Sequence, residues 1–194
     1  LTNGDSWNVA AADFNNDGWL DLIVPQGGTR TPQNNLLYTN NCDGSFTLQT
    51  NSIVFANGSN SVACAWGDYD NDGFLDLFVS NFYGQNNFLY HNNGDGTFTM
   101  ITNSPVTLDG GTSVGCAWGD YDNDRDQDLF VVNYQIGASA PGNNHLFRNN
   151  GDGTFTKNTT AGQVVTIQQN GRSANWADVN NDGFLDLFVC NQFG

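Results

Sequence analysis

The sequence predicts an all-β protein made of β-propeller-type blades of four antiparallel strands, with three full repeats and the first half of a fourth. Three observations predict it. An aspartate-rich segment of nine residues occurs four times at nearly regular spacing. A second segment, rich in Asn and Gly, follows three of those four copies. The composition is that of strands and tight turns: all 20 acidic residues are Asp, and Gly, Asn, Thr and aromatics stand where a helical protein carries Glu and Lys.

The first segment begins at Asp13, Asp68, Asp120 and Asp178, at intervals of 55, 52 and 58 residues. The second runs Asn35–Phe46, Asn87–Phe98 and Asn144–Phe155. Self-similarity at such a period marks a repeat architecture. It divides the chain into repeat 1 (1–55), repeat 2 (56–107), repeat 3 (108–166) and half of repeat 4 (167–194). Within repeat 2, strand one is the apolar run Ser61–Trp66 before the aspartate segment. Strand two follows at Leu75–Val79, and strand three is Phe88–Tyr90. An Asp-Gly turn then leads into strand four at Thr97–Thr99. No stretch carries a helical period with caps. Four strands per unit of about 40–60 residues is the pattern of a propeller blade. Three and a half blades do not close a ring, and the half-blade leaves a strand edge unpaired. The expectation is a partial propeller within a larger protein, or self-association through the incomplete fourth repeat.

The aspartate segments read Asp-x-Asp/Asn-x-Asp-Gly-x-x-Asp, and this pattern suits a hard cation. Calcium takes six to eight oxygens at roughly 2.3–2.6 Å. Alternate side chains at positions 1, 3 and 5 of a tight loop face one side. The position-7 carbonyl adds an oxygen, Gly at position 6 permits the turn, and Asp at position 9 closes the shell. The expected ligands are Asp13, Asn15, Asp17, the Trp19 carbonyl and Asp21 in loop one. In loop two they are Asp68, Asp70, Asp72, the Phe74 carbonyl and Asp76. In loop three they are Asp120, Asp122, Asp124, the Asp126 carbonyl and Asp128. In loop four they are Asp178, Asn180, Asp182, the Phe184 carbonyl and Asp186. About four Ca²⁺ per chain are expected. Loop three departs from the pattern, with Arg125 where Gly stands elsewhere. The loops hold 15 of the 20 Asp residues, whose mutual repulsion a cation would relieve. Mg²⁺ fits less well, because it demands a strict octahedron and keeps its waters, and an all-oxygen set disfavours Zn²⁺.

The run from Gly67 through Val79, followed by Asn87 through Phe98, resembles the FG-GAP/VCBS repeat family. That family includes the calcium-bearing blades of integrin α-subunit propellers and many surface proteins. The resemblance covers essentially the whole chain. It implies a propeller, calcium in the loops between strands one and two, and roles in adhesion or in carbohydrate and protein binding. Departures are Arg125 for Gly, Cys42 for a turn glycine, and the half-length fourth repeat.

The remaining features narrow the function. The net charge of −15, from five basic residues against 20 acidic ones, excludes nucleic acid and anionic membranes as partners. No apolar run is long enough to span a bilayer. The lack of a starting Met and of a signal peptide is read as a mature or excised fragment. His91 and His145 do not share a repeat position, and no catalytic set recurs, so no enzyme activity is expected. Trp66, Trp118 and Trp176 precede their loops identically and read as core, with Trp7 near the matching place in repeat 1. Cys64 and Cys116 read as buried thiols. Cys42 and Cys190 are candidates for a disulfide, within or across chains. Asn57 and Asn158 begin glycosylation sequons placed between repeats. Loops of this kind fill at the millimolar calcium outside cells, which points to an extracellular protein. The leading expectation is a structural or adhesive module that binds proteins or glycans. A lectin, an appendage of a larger secreted enzyme, and a fibre subunit are the alternatives.

Overall fold

The computed structural model describes residues 5–27, 31–135, 142–166 and 170–192. Strands β1 (Ala10–Ala12), β2 (Asp21–Val24), β3 (Leu36–Asn40) and β4 (Phe46–Leu48) form the first sheet, antiparallel and in chain order. The same order recurs in β5 (Ser61–Gly67), β6 (Asp76–Asn81), β7 (Phe88–Asn92) and β8 (Phe98–Ile101). It recurs again in β9 (Ser113–Gly119), β10 (Asp128–Asn133), β11 (His145–Asn149) and β12 (Phe155–Asn158). A two-stranded sheet, β13 (Gly171–Ala177) and β14 (Asp186–Asn191), completes the set. These are the blades expected from the repeats, in a partial array.

The blades are joined by short helices that the sequence patterns do not display. Helices of a single turn, α1 (Ile53–Ala56), α2 (Pro105–Leu108) and α3 (Gln163–Thr166), join successive blades. Four residues are too few to display a helical period, so the pattern search passes over them. Each places one valine beneath a seam: Val54 and Val106 are fully buried, and Val165 nearly so. The Ser52 hydroxyl accepts from the Val54 amide at 3.2 Å and caps α1.

The blades stack face to face, so the second strands of the two middle blades are covered on both sides. All six residues of β6 and of β10 are buried. That is why Leu77-Phe78-Val79 and Leu129-Phe130-Val131 read as unbroken apolar runs rather than alternating ones. Leu77 and Val79 pack toward the first blade with Phe14, Ile23 and Leu37. Phe78 packs toward the third blade with Leu129, Val131 and Phe147. Phe130 and Val132 pack toward the fourth with Ala174, Trp176 and Leu187.

Each seam is bolted by aromatics. The residue at position 2 of one loop stacks on the tryptophan of the next blade. Phe14 lies 5.8 Å from Trp66, Tyr69 6.4 Å from Trp118, and Tyr121 6.4 Å from Trp176, each pair within 15° of parallel. Phe98 and Phe155, opening the fourth strands, close the first two groups. Such pairs contribute about 0.5–1.5 kcal/mol beyond their buried area. The indole nitrogens of Trp118 and Trp176 donate to the carbonyls of Ala65 and Ala117 in the preceding blade, at 3.3 and 3.4 Å.

Repeat 1 breaks this pattern. Strand register puts Ala11 where Trp66, Trp118 and Trp176 stand, and Trp7 is 63% exposed. Trp7 is therefore not the fourth seam tryptophan that its position in the sequence suggested. Ala12 takes the place of Gly67 and Gly119. A Cβ at Gly67 would lie 2.7 Å from the Trp118 ring, and one at Gly119 2.6 Å from Trp176. Among the described residues, the buried Trp66 Nε1 has no hydrogen-bond partner.

Candidate metal centres

The four aspartate loops sit between strands one and two of each blade, and they share one hydrogen-bond plan. The position-1 carboxylate accepts two backbone amides, those of positions 5 and 6. Asp13 accepts from Asp17 and Gly18 at 2.9 and 2.7 Å, and Asp68 from Asp72 and Gly73 at 3.1 and 3.0 Å. Asp120 accepts from Asp124 and Arg125 at 3.0 and 2.9 Å, and Asp178 from Asp182 and Gly183 at 3.1 and 2.9 Å. The position-5 carboxylates of Asp17, Asp72, Asp124 and Asp182 accept the amides of Trp19, Phe74, Asp126 and Phe184 at 2.9–3.0 Å. The position-7 residues are thus carried on the same turn as the side-chain donors.

Position 4 is Asn in every loop and takes a positive φ each time: Asn16, Asn71, Asn123 and Asn181 lie between 57° and 60°. Asn tolerates this backbone better than other side-chain-bearing residues. Its amide also reaches the next blade. Asn16 donates to the Gly73 carbonyl at 3.3 Å, Asn71 to Asp126 Oδ1 at 2.8 Å, and Asn123 to the Gly183 carbonyl at 2.9 Å. Successive loops are therefore clasped to one another.

Position 9 lies deepest. Asp21, Asp76 and Asp128 are fully buried. Each takes the amide of an asparagine at the end of strand three: Asn40, Asn92 and Asn149, all at 2.8 Å. The position-2 amides of Tyr69, Tyr121 and Val179 bind the other oxygen of Asp76, Asp128 and Asp186 at 3.0–3.1 Å. Burial pushes the carboxyls of Asp76 and Asp128 up to about 7 and also raises Asp21 and Asp70. The ionised forms are disfavoured in the absence of a cation. Asp21 Oδ2 and Asp70 Oδ1 are buried with no hydrogen-bond partner among the described residues.

The asparagines are hubs that sequence reasoning missed. Asn92 Nδ2 donates to the Leu75 carbonyl at 3.1 Å and to the Phe14 carbonyl of the preceding loop at 2.7 Å. Asn149 does the same to Gln127 at 3.1 Å and Tyr69 at 2.6 Å. The Nδ2 of Asn40, with no blade before it among the described residues, donates to Leu20 alone, at 3.0 Å. The available signal was the identical Asn-Asn-x-Asp-Gly in all three copies.

The loops differ in what faces them from strand three. Asp68, Asp70 and Asp76 converge, with one oxygen of each within 4.8 Å of the others, and so do Asp120, Asp122 and Asp128. His91 Nδ1 stands 3.1 Å from Asp70 and 3.2 Å from Asp76. In loop three, Arg125 takes the position-6 turn at φ 78°, so the turn forms without Gly. There Arg148 reaches both Asp122 and Asp124 at 2.7 Å. In loops one and four, Asn15 and Asn180 replace an Asp, and each donates to the position-5 carboxylate at 3.0 Å. The residues present in loops one, two and four thus suit a calcium ion: oxygen donors on a fixed turn, with a buried carboxylate behind loops one and two and a half-buried one, Asp186, behind loop four.

The other expected sites lie apart. Cys42 and Cys190 are free, exposed thiols, one in the β3–β4 turn and one on β14. Two blades stand between them, so the pairing within the chain is not formed. Cys64 is a buried thiol, as expected, and Cys116 a half-buried one. Asn57 caps the end of α1, and its Nδ2 approaches the Tyr90 hydroxyl and Met100 Sδ at 3.5 and 3.1 Å. Asn158 closes β12 rather than lying in a connecting loop, and its Nδ2 donates to the Tyr121 hydroxyl at 3.1 Å. Among the described residues no helix is long and apolar enough to cross a membrane.

Comparison with known proteins agrees with this geometry. The FG-GAP-like repeat matches residues 28–79, 68–131 and 133–189, and the FG-GAP repeat matches residues 6–37. Cartilage acidic protein 1 of Xenopus tropicalis is 36% identical over 80 residues. That match spans 41% of this chain and 11% of the relative's length.

Proposed function

The chain belongs to the FG-GAP repeat family, and from that premise we propose that it is an extracellular calcium-binding repeat module with a structural or adhesive, non-catalytic role. The observation that carries the reading is the buried position-9 carboxylate. Asp21, Asp76 and Asp128 sit behind their loops at a cost that a cation in front of them would offset. The ligands would be the residues at positions 1, 3, 5 and 9 together with the position-7 carbonyl. A bound ion would supply positive charge and fix the turn. The resulting rigid face would present protein- or glycan-binding surfaces. Both histidines face aspartates rather than an open cleft, His91 Nδ1 lying 3.1 and 3.2 Å from Asp70 and Asp76 and His145 Nδ1 lying against Asp109, which favours a structural role for them.

Equilibrium dialysis against calcium, with bound metal counted by elemental analysis, tests this. Binding with dissociation constants of roughly 10⁻⁴–10⁻³ M fits a module filled outside cells. Asp76→Asn should remove one ion. No bound calcium would sink the reading, and sub-micromolar affinity would argue against the extracellular assignment.

A further inference from the structure

One strand position decides what each loop meets. Thr39, His91 and Arg148 are repeat equivalents, since they pair with Thr47, Thr99 and Thr156 on the neighbouring fourth strands. All three follow the aromatic or apolar residue of strand three by one place. In repeat 1 the position is an uncharged hydroxyl. In repeat 2 it is an imidazole against Asp70 and Asp76. In repeat 3 it is a guanidinium that forks across loop three, with Nε on Asp122 Oδ2 and Nη2 on Asp124 Oδ2, each at 2.7 Å.

We propose that Arg148 is the resident cation of loop three, closing that loop without metal, so that the chain takes calcium readily at loops one, two and four only. This rests on the calcium reading of those other loops.

The chemistry follows from what each partner needs. Asp122 and Asp124 occupy positions 3 and 5, two of the four side-chain donor positions. An oxygen that accepts a guanidinium N–H has its lone pair directed at nitrogen, and a calcium ion competes for it. The fixed positive charge also opposes a second cation a few ångströms away. What remains is a weak site, because Asp120, Asp122 and Asp128 can each still bring one oxygen together. The loop has no need of the ion for its shape. Arg125 already holds the position-6 turn, and the Asp120 bonds to the amides of Asp124 and Arg125 match those of the other loops. The extra carboxylate, Asp126, is taken up by Asn71 of the preceding loop.

The test compares the chain with Arg148→Thr, which installs the repeat 1 residue at a side chain 47% exposed. Calcium alone is the probe, and ions per chain are counted at graded concentrations. The parent should plateau at three ions, with a fourth requiring at least about tenfold more calcium. Arg148→Thr should fill four sites in one range. Melting in chelator gives a second readout: Arg148→Thr should melt lower than the parent without metal and recover in calcium. Arg148→Lys keeps the charge but loses the fork, and should still plateau at three. Four equivalent ions in the parent, or a count left at three by Arg148→Thr, would overturn the assignment. If neither protein binds calcium, the calcium reading fails, and the chelator melts then decide the role of Arg148 separately: a lower melt for Arg148→Thr supports it and an unchanged one overturns it.

Discussion

Asn92 shows how much one side chain carries at the scale of single residues. Its main-chain amide orients Asp76, and its Nδ2 joins the carbonyls of Leu75 and, in the preceding blade, Phe14. Asn92→Ala leaves two buried carbonyls unpaired and should cost about 2–4 kcal/mol in denaturant unfolding. Asn40→Ala removes the local bonds to the Leu20 carbonyl and from the Cys42 amide, but no bond between blades, at a half-exposed site, and should cost about 1 kcal/mol or less. Equal costs would mean that the bond between blades carries no weight. The aspartate loops were legible in the sequence because identical residues recur at identical offsets, and all four carry the same hydrogen bonds from positions 5 and 6 to position 1. Asn92 recurs equally well but was not legible as a hub. In an Asn-rich chain, Asn-Asn-Gly-Asp-Gly reads first as turn chemistry. Its long-range partner, 78 residues away, leaves no local trace.

At the scale of elements, the seams account for the spelling of the strands. The pair Trp-Gly at the end of strand one is a matched set: Gly67 and Gly119 make room for the tryptophan of the next blade, and the preceding alanine supplies the carbonyl for its indole. Gly67→Ala would drive a methyl to 2.7 Å from the Trp118 ring. It should cost about 1–3 kcal/mol by chemical denaturation and shift tryptophan emission as Trp118 is displaced. A variant as stable as the parent would show that the seam has slack. The strands themselves were readable from apolar runs and Asp-Gly turns, within a residue or two at their ends. The one-turn helices were not, because four residues carry no period. The misplacement of Trp7 has a related cause. Tryptophan near the right offset looks equivalent until strand register puts Ala11 there.

At the scale of the whole molecule, blades, loops and charge form one account. Phe78 and Phe130 are fully buried between blades, whereas their counterpart Phe188 on β14 is 60% exposed, as is Val179 at 59%. Among the described residues nothing covers that face of the fourth blade. Loop-to-loop clasps from Asn16, Asn71 and Asn123 run along the array in one direction, so each loop braces the next. The net charge of −15 is gathered mainly in these loops, close to buried carboxylates. In the function proposed above, calcium would reconcile the two. The measurement that tests this most directly is a thermal melt of the intact chain in millimolar calcium and in chelator. If loops one, two and four each hold an ion at about ten times its dissociation constant, linkage contributes about 4 kcal/mol, and the melting temperature should rise by about ten degrees. Superimposable melts, with no calcium retained on the protein, would contradict the account.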